Sequence, residues 1–265
     1  MTEIVIAAAS GNTFGYLWED EVPESFKGSR WARALCPRDI GFGLDGLFLL
    51  KKPMHGAPWC MDHWEPDGTH TFCSNGTRAA ACLMTETPGE FEACVSGESV
   101  HLRVNSKSVG LRLPEGIGYG LRSSPISLEI PHALGWTGTP HLVLEVPDVQ
   151  SVDLATFAPP LRFHPALEQG ANISIIEVIE PGRARIRSWE RGVEGETLCC
   201  GQGCAVAGAW LSQRSGLKQW QFRPAGRDPV AISVGSMENG FWSDLWIDGP
   251  VHRLGTLVPE PSLLR

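Results

Sequence analysis

The sequence predicts a fold of many short strands and few helices, arranged as two related halves. Three observations carry that expectation. Glycine and proline number 30 and 20 among 265 residues, about 19% against a usual ~12%, which argues against long uninterrupted helices. Most apolar segments show strand rather than helix patterning. A cysteine-bearing, small-residue-rich helix start occurs twice, at Cys73 and Cys200, 127 positions apart and so close to half the chain. The length allows two domains or one large one.

Period-2 alternation predicts strands at His101–Val104, Ile126–Ile130 and Ala184–Arg187. The more apolar runs Gly46–Leu50, His141–Val146 and Ile173–Val178 read as strands buried on both faces. Two Ala-rich helices are expected, Gly76–Thr85 and Gly203–Arg214, ended by Pro88-Gly89 and Ser215-Gly216. The stretch Leu113–Ser124, with Pro114, Gly116, Gly118 and Gly120, is the expected linker.

Composition excludes several function classes. Apolar residues make up 42% and charged residues 20%, enough for a sizeable core. The net charge is −8, and 17 Arg against 5 Lys form no basic block, so nucleic acid and anionic membrane are poor partners. No run reaches ~18 apolar residues. The start, Met1 to Ala7, lacks a charged segment and a long apolar run, so a cytoplasmic protein is expected. Its eight cysteines should then be reduced thiols.

The two helix starts align with each other. Cys73-Ser74-Asn75-Gly76 and Cys200-Gly201-Gln202-Gly203 both read cysteine, small residue, carboxamide, glycine. Each has a Trp-Glu pair upstream, Trp64-Glu65 and Trp189-Glu190. Together these matches indicate a duplication with one cysteine per half. The first-turn N–H groups of a helix point outward, and its dipole stabilises negative charge there. A thiol so placed ionises more readily. Ser74, Gly76, Gly201 and Gly203 are small enough to let a carboxylate approach the backbone. Two such turns facing each other would suit proton removal from one side of a Cα and delivery from the other.

Cys73-Ser74-Asn75-Gly76-Thr77-Arg78 resembles the Cys-Gly-Asn-Gly-x-Arg motif of diaminopimelate epimerases. Glu190-Arg191-Gly192 followed by Glu196-Thr197-Leu198-Cys199-Cys200-Gly201-Gln202-Gly203 resembles the second motif, Glu-Arg-Gly then Thr-x-Ala-Cys-Gly-Thr-Gly. Further resemblances run in order along the whole chain: Gly11-Asn12-Thr13-Phe14, Arg38 to Gly46, Thr139-Pro140-His141, Asn172 and Asp248-Gly249-Pro250. The resemblance implies an α+β fold of two pseudo-symmetric halves, each a β-barrel-like sheet around a central helix, with the active site in the cleft between them. The first half would span residues 1–118, completed by a C-terminal strand at about 251–265, and the second residues 119–250.

The activity implied is epimerisation or racemisation at the α-carbon of a free amino acid without pyridoxal phosphate or metal, by default L,L-diaminopimelate to the meso form. Cys73 and Cys200 would be the two acid/base thiols. Backbone donors around Ser74-Asn75 and Gly201-Gln202 would hold the substrate carboxylate, and His141 and Glu190 the α-amino group. Asn12, Asn172 and Arg191 complete the expected site. No cofactor is implied, and the amino acid is the expected partner, with a homodimer possible. If the two thiols face each other, mild oxidation should join them and abolish activity reversibly.

Departures from the family pattern bear on substrate. The family's Phe-Asn-x-Asp-Gly appears as Trp64-Glu65-Pro66-Asp67-Gly68, so Glu65 replaces an amide that contacts the distal end of diaminopimelate. Thr139 replaces the Asn of Asn-Pro-His. A carboxylate at Glu65 disfavours a distal carboxylate, so the alternative substrate is another amino acid with a cationic or imidazole side chain. A non-catalytic amino-acid-binding relative is a further alternative. Gly41 to Gly46 satisfies G-x-G-x-x-G, but a dinucleotide site needs a helix next, and Leu47–Leu50 reads as strand. Cys199, Cys200 and Cys204 lack partners at metal-ligand spacing. The histidines at 55, 63, 70, 101, 132, 164 and 252 read as ordinary surface or core residues.

Overall fold

The structure, a computed structural model, describes residues 2–53, 58–85, 87–106, 108–115, 119–226 and 228–264. His55, and Gly116 and Gly118 of the expected linker, lie outside the described residues. The chain divides into two compact units, Met1–Leu111 with Pro250–Arg265, and Arg112–Gly249.

The first unit contains β1 (Ile4–Ala9), β2 (Asn12–Trp18), α1 (Gly28–Leu35), β3 (Gly46–Lys51), β4 (Trp59–Trp64), α2 (Ser74–Met84), β5 (Gly89–Val95) and β6 (Glu98–Val104). β7 (Val109–Arg112) runs over the unit boundary. β1 and β2 form a hairpin through Ser10 and Gly11, whose φ of 54° and 89° fit the twist of the strands they join. β2 and β3 are then parallel, β3 and β4 antiparallel, β4 and β5 parallel, and β5 and β6 antiparallel. The C-terminal strand Val251–Leu257 pairs antiparallel with the free edge of β1. α2 packs against β1, β2, β3, β6 and the C-terminal strand, so the sheet curls round it. A helix buried on every face needs small residues. Ala79, Ala80 and Ala81 supply them, each fully buried.

The second unit contains β8 (Tyr119–Arg122), β9 (His132–Thr137), β10 (Pro140–Glu145), α3 (Leu154–Arg162), β11 (Asn172–Glu180), β12 (Arg183–Glu190), β13 (Gly195–Thr197), α4 (Gly201–Ser215), β14 (Gln219–Arg223), β15 (Val230–Glu238) and β16 (Phe241–Gly249). From β9 the pairings run antiparallel to β10, parallel to β11, antiparallel to β12, parallel to β14 and antiparallel to β15. This is the same alternation as in β1 to β6. α1 and α3 fall at the same point in each series, as do α2 and α4. β8 pairs with β9 as the C-terminal strand pairs with β1. α4 packs on β8 to β11 and on β14 to β16. It ends at Gly216, whose φ of 76° closes the helix in the left-handed region. The duplication inferred from the cysteine turns is thus written into the strand pairing.

Helix α4 brackets the expected Gly203–Arg214, α2 matches the expected Gly76–Thr85 as far as Met84, and five of the six expected strands are present. Ile126–Ile130 is not a strand. Ile126 is buried and Leu128 and Ile130 pack against the same core, so the alternation is real. Pro125 and Pro131 flank the segment without N–H donors, and the His132 ring nitrogens lie 2.9 and 3.1 Å from the carbonyls of Ile130 and Ile126. The expected linker contains β8, and Leu113 donates to the Leu245 carbonyl at 2.9 Å. Gly41 to Gly46 leads into β3, with no helix after it. No helix among the described residues is long and apolar enough to cross a membrane.

Candidate active site

In the first unit, β4 ends at Trp64 and a turn through Glu65 to Gly68 leads to Cys73, the residue that opens α2. The first intrahelical bond is from Thr77 N to Cys73 O at 2.9 Å, so the N–H groups of Ser74, Asn75 and Gly76 point out of the helix end. Cys73 is half-buried. The helix start is tied to the β1–β2 turn: Asn75 donates to Asn12 Oδ1 at 2.9 Å, and Arg78 donates to Ser10 Oγ at 2.6 Å and to Asn75 Oδ1 at 3.1 Å. Arg78 is fully buried, so these charge-assisted bonds hold a non-glycine residue at positive φ in that turn. The Tyr16 hydroxyl donates to Gly76 O at 2.9 Å. Burial raises its pKa well above the ordinary value, and charge on the nearby Cys73 adds to the rise.

The segment before Cys73 hangs on His63. Thr71 donates to His63 O at 3.1 Å, while its own carbonyl accepts from Ser96 Oγ at 2.8 Å and lies 3.3 Å from His63 Nδ1. The ring is fully buried and stacks on Phe48 at 4.4 Å. Burial lowers its pKa to about 3. His63 is therefore neutral, and it fixes the approach to α2 rather than moving a proton.

In the second unit β12 ends at Trp189-Glu190, turns into β13, and reaches Cys200 at the start of α4. Trp189 lies opposite Ile173 as Trp64 lies opposite Leu47, so the two Trp-Glu pairs occupy equivalent strand ends. Cys200 is buried, and its sulfur accepts from Gly203 N at 3.4 Å. Burial pushes its thiol well above the usual value, and the Glu190 carboxylate, which also hydrogen-bonds it, adds to the rise. Thr197 Oγ1 donates to Glu190 Oε1 and so orients that carboxylate. Gln202 donates to Thr137 O at 3.2 Å, anchoring α4 to the β9–β10 turn as Asn75 anchors α2.

The remaining expected residues are placed as follows. His141, on β10, is fully buried, and burial with the Arg191 charge lowers its pKa to about 3. Its Nε2 lies 3.2 Å from Thr139 Oγ1. Asn172 accepts from Arg191 N at 2.8 Å and donates to Pro140 O at 3.3 Å, so its amide fixes the local chain. Arg191 Nη1 donates to Gln169 O at 3.2 Å. Glu65 N donates to Thr69 O at 2.9 Å. Its carboxylate lies close enough to Cys36, with that of Asp45, for their charges to add to burial in pushing that thiol up to about 12.

Gly76 and Gly203 also fit the helix starts to the sheet. A Cβ on Gly76 would lie 2.3 Å from the Phe48 ring, and one on Gly203 would lie 2.7 Å from Ser174 Oγ. Their missing side chains face the sheet and seat each helix start against it. Tyr16, His63, Arg78 and Thr197 were not among the expected site residues. Arg78 and Thr197 stand inside the two cysteine motifs, which was the signal available for them.

Residues 135–224 match the diaminopimelate epimerase family model. The chain is 34% identical over 194 residues to diaminopimelate epimerase of Rhodospirillum centenum, covering 66% of each protein. It is 30% identical over 247 residues to that of Chlorobaculum tepidum, covering 85% of this chain and 90% of the relative. In fold it is similar to a hydroxyproline epimerase from Agrobacterium vitis, solved with trans-4-hydroxy-L-proline, at a TM-score of 0.71 and 13% identity over 97% of this chain and 90% of the other. Sequence and fold define an isomerase of the epimerase and racemase class. The chain belongs to the diaminopimelate epimerase family.

Proposed function

We propose that the chain inverts the α-carbon of a free amino acid by a two-base thiol mechanism. The family default is L,L-diaminopimelate to meso-diaminopimelate. The observation that carries this reading is the equivalent placement of Cys73 and Cys200, each opening the central helix of its own unit after a matching strand end. One thiolate removes the Cα proton, and the opposite thiol delivers a proton to the other face. N–H groups at the two helix starts hold the substrate carboxylate, where charge builds as the proton leaves. Burial and Glu190 support Cys200 as the resting thiol, which leaves Cys73 as the starting base. For the reverse reaction the roles exchange.

A second reading concerns the substrate side chain. Glu65 stands where the family has an amide, and a carboxylate there favours a cationic or imidazole side chain over a distal carboxylate. Racemisation assays over a panel of L-amino acids and L,L-diaminopimelate separate the two readings. Turnover of diaminopimelate alone supports the default, turnover of lysine-like or histidine-like substrates supports the second, and inversion of none contradicts both.

A further inference from the structure

Two cysteines outside the helix starts face each other. β4 and β5 run parallel with Cys60 directly opposite Cys94. Neighbouring strands lie about 4.7–4.9 Å apart, within the Cα separation of roughly 4.4–6.8 Å that a disulfide spans. Residues in register share a face of the sheet. Ala93 and Val95 on either side of Cys94 are buried, whereas Cys94 and Cys60 are both half-exposed. The thiols lie within hydrogen-bonding reach of each other. Register extends the row across four strands, with Lys51 opposite Cys60 and Ser99 opposite Cys94. Burial and the neighbouring Cys94 raise the Cys60 thiol, and the Lys51 ammonium only partly offsets them.

We propose that Cys60 and Cys94 are a reversible dithiol–disulfide site, oxidised by small-molecule disulfides. One thiol gives its proton to solvent, and its thiolate attacks a sulfur of the small disulfide, releasing one small thiolate. The second cysteine, deprotonated in turn, attacks the protein sulfur of that mixed bond and releases the other small thiolate. Two cysteine thiols are oxidised and one small disulfide is reduced to two thiols. The new bond closes the β4–α2–β5 crossover, which carries Cys73, into a covalent loop and uses neither helix-start thiol.

The test treats fully reduced protein with oxidised glutathione, alkylates the remaining thiols and cleaves at aspartates and glutamates. Asp62 and Asp67 separate Cys60 from Cys73, and Glu86, Glu90 and Glu92 separate Cys82 from Cys94. Tandem mass spectrometry should find Cys60 linked to Cys94 in the wild type and in Cys200→Ala, where any bond between the helix-start thiols is impossible. The link should be absent in Cys60→Ser, and dithiothreitol should reverse it. Glutathione held at Cys60 without resolving to the internal disulfide, or oxidation with Cys60 and Cys94 both left free, would overturn the proposal. The readout is a bond rather than turnover, so it fails or succeeds independently of the proposed reaction.

Discussion

The two helix starts share a strand framework and differ in what surrounds the sulfur. Cys73 is half-exposed, and its helix is held by Arg78, Asn75 and Tyr16 reaching the first two strands and their turn. Cys200 is buried, takes a backbone N–H from Gly203 and sits against Glu190. The buried guanidinium of Arg78 braces the first helix start through Ser10 and Asn75, whereas the Glu190 carboxylate bonds the second sulfur itself. The strand geometry is shared while the surroundings of the sulfurs differ, and the proposed two-base reaction calls for such a difference, since one sulfur must begin with its proton and the other without.

Removing either sulfur should have the largest effect. Cys73→Ala and Cys200→Ala should each lower kcat by roughly 10²–10⁴-fold, the range for loss of a general acid or base; steady-state rates in both reaction directions check this. A drop confined to one variant would mean that the two units are not equivalent in the chemistry. Glu190→Gln comes next. Taking away the charge that raises Cys200 should move its alkylation profile to lower pH and leave that of Cys73 in place, with kcat reduced by less than for loss of either thiol. An unmoved Cys200 profile would remove Glu190 from the account.

Acid should then probe each unit through one buried histidine. His63 and His141 have folded pKa values lowered to about 3 from 6.5. As pH falls below about 6.5 the unfolded chain binds these protons first, so stability is full above that pH and is lost progressively between 6.5 and 3. Between pH 7 and pH 5 the expected loss is on the order of 2 kcal/mol per histidine, read from urea unfolding at the two pH values. A flat stability over that range would contradict the burial of both rings. The smallest effect is expected at Glu180, whose 2.8 Å bond to Arg183 joins two exposed side chains. Glu180→Gln should cost under about 1 kcal/mol in the same assay.

What the sequence made legible follows from local chemistry. Small-residue helices and five buried or alternating strands could be read directly because composition and period set them. α1 and α3 escaped because neither is Ala-rich, and α3 carries Pro159 and Pro160 inside its span. Ile126–Ile130 misled because its alternation serves packing without a ladder. The cysteine motifs pointed to both thiols, but not to which one is buried or that Gly76 and Gly203 fit the helices to the sheets. The glycine contacts depend on Phe48 and Ser174, residues distant in sequence.

The central claim is that two equivalent helix starts supply the two bases, and solvent deuterium tests it most directly. In D2O with a substrate it inverts, the wild type should place deuterium at Cα of the product, and Cys73→Ala and Cys200→Ala should both do so at least roughly 10²-fold more slowly. Inversion with deuterium uptake near the wild-type rate in either variant would contradict it.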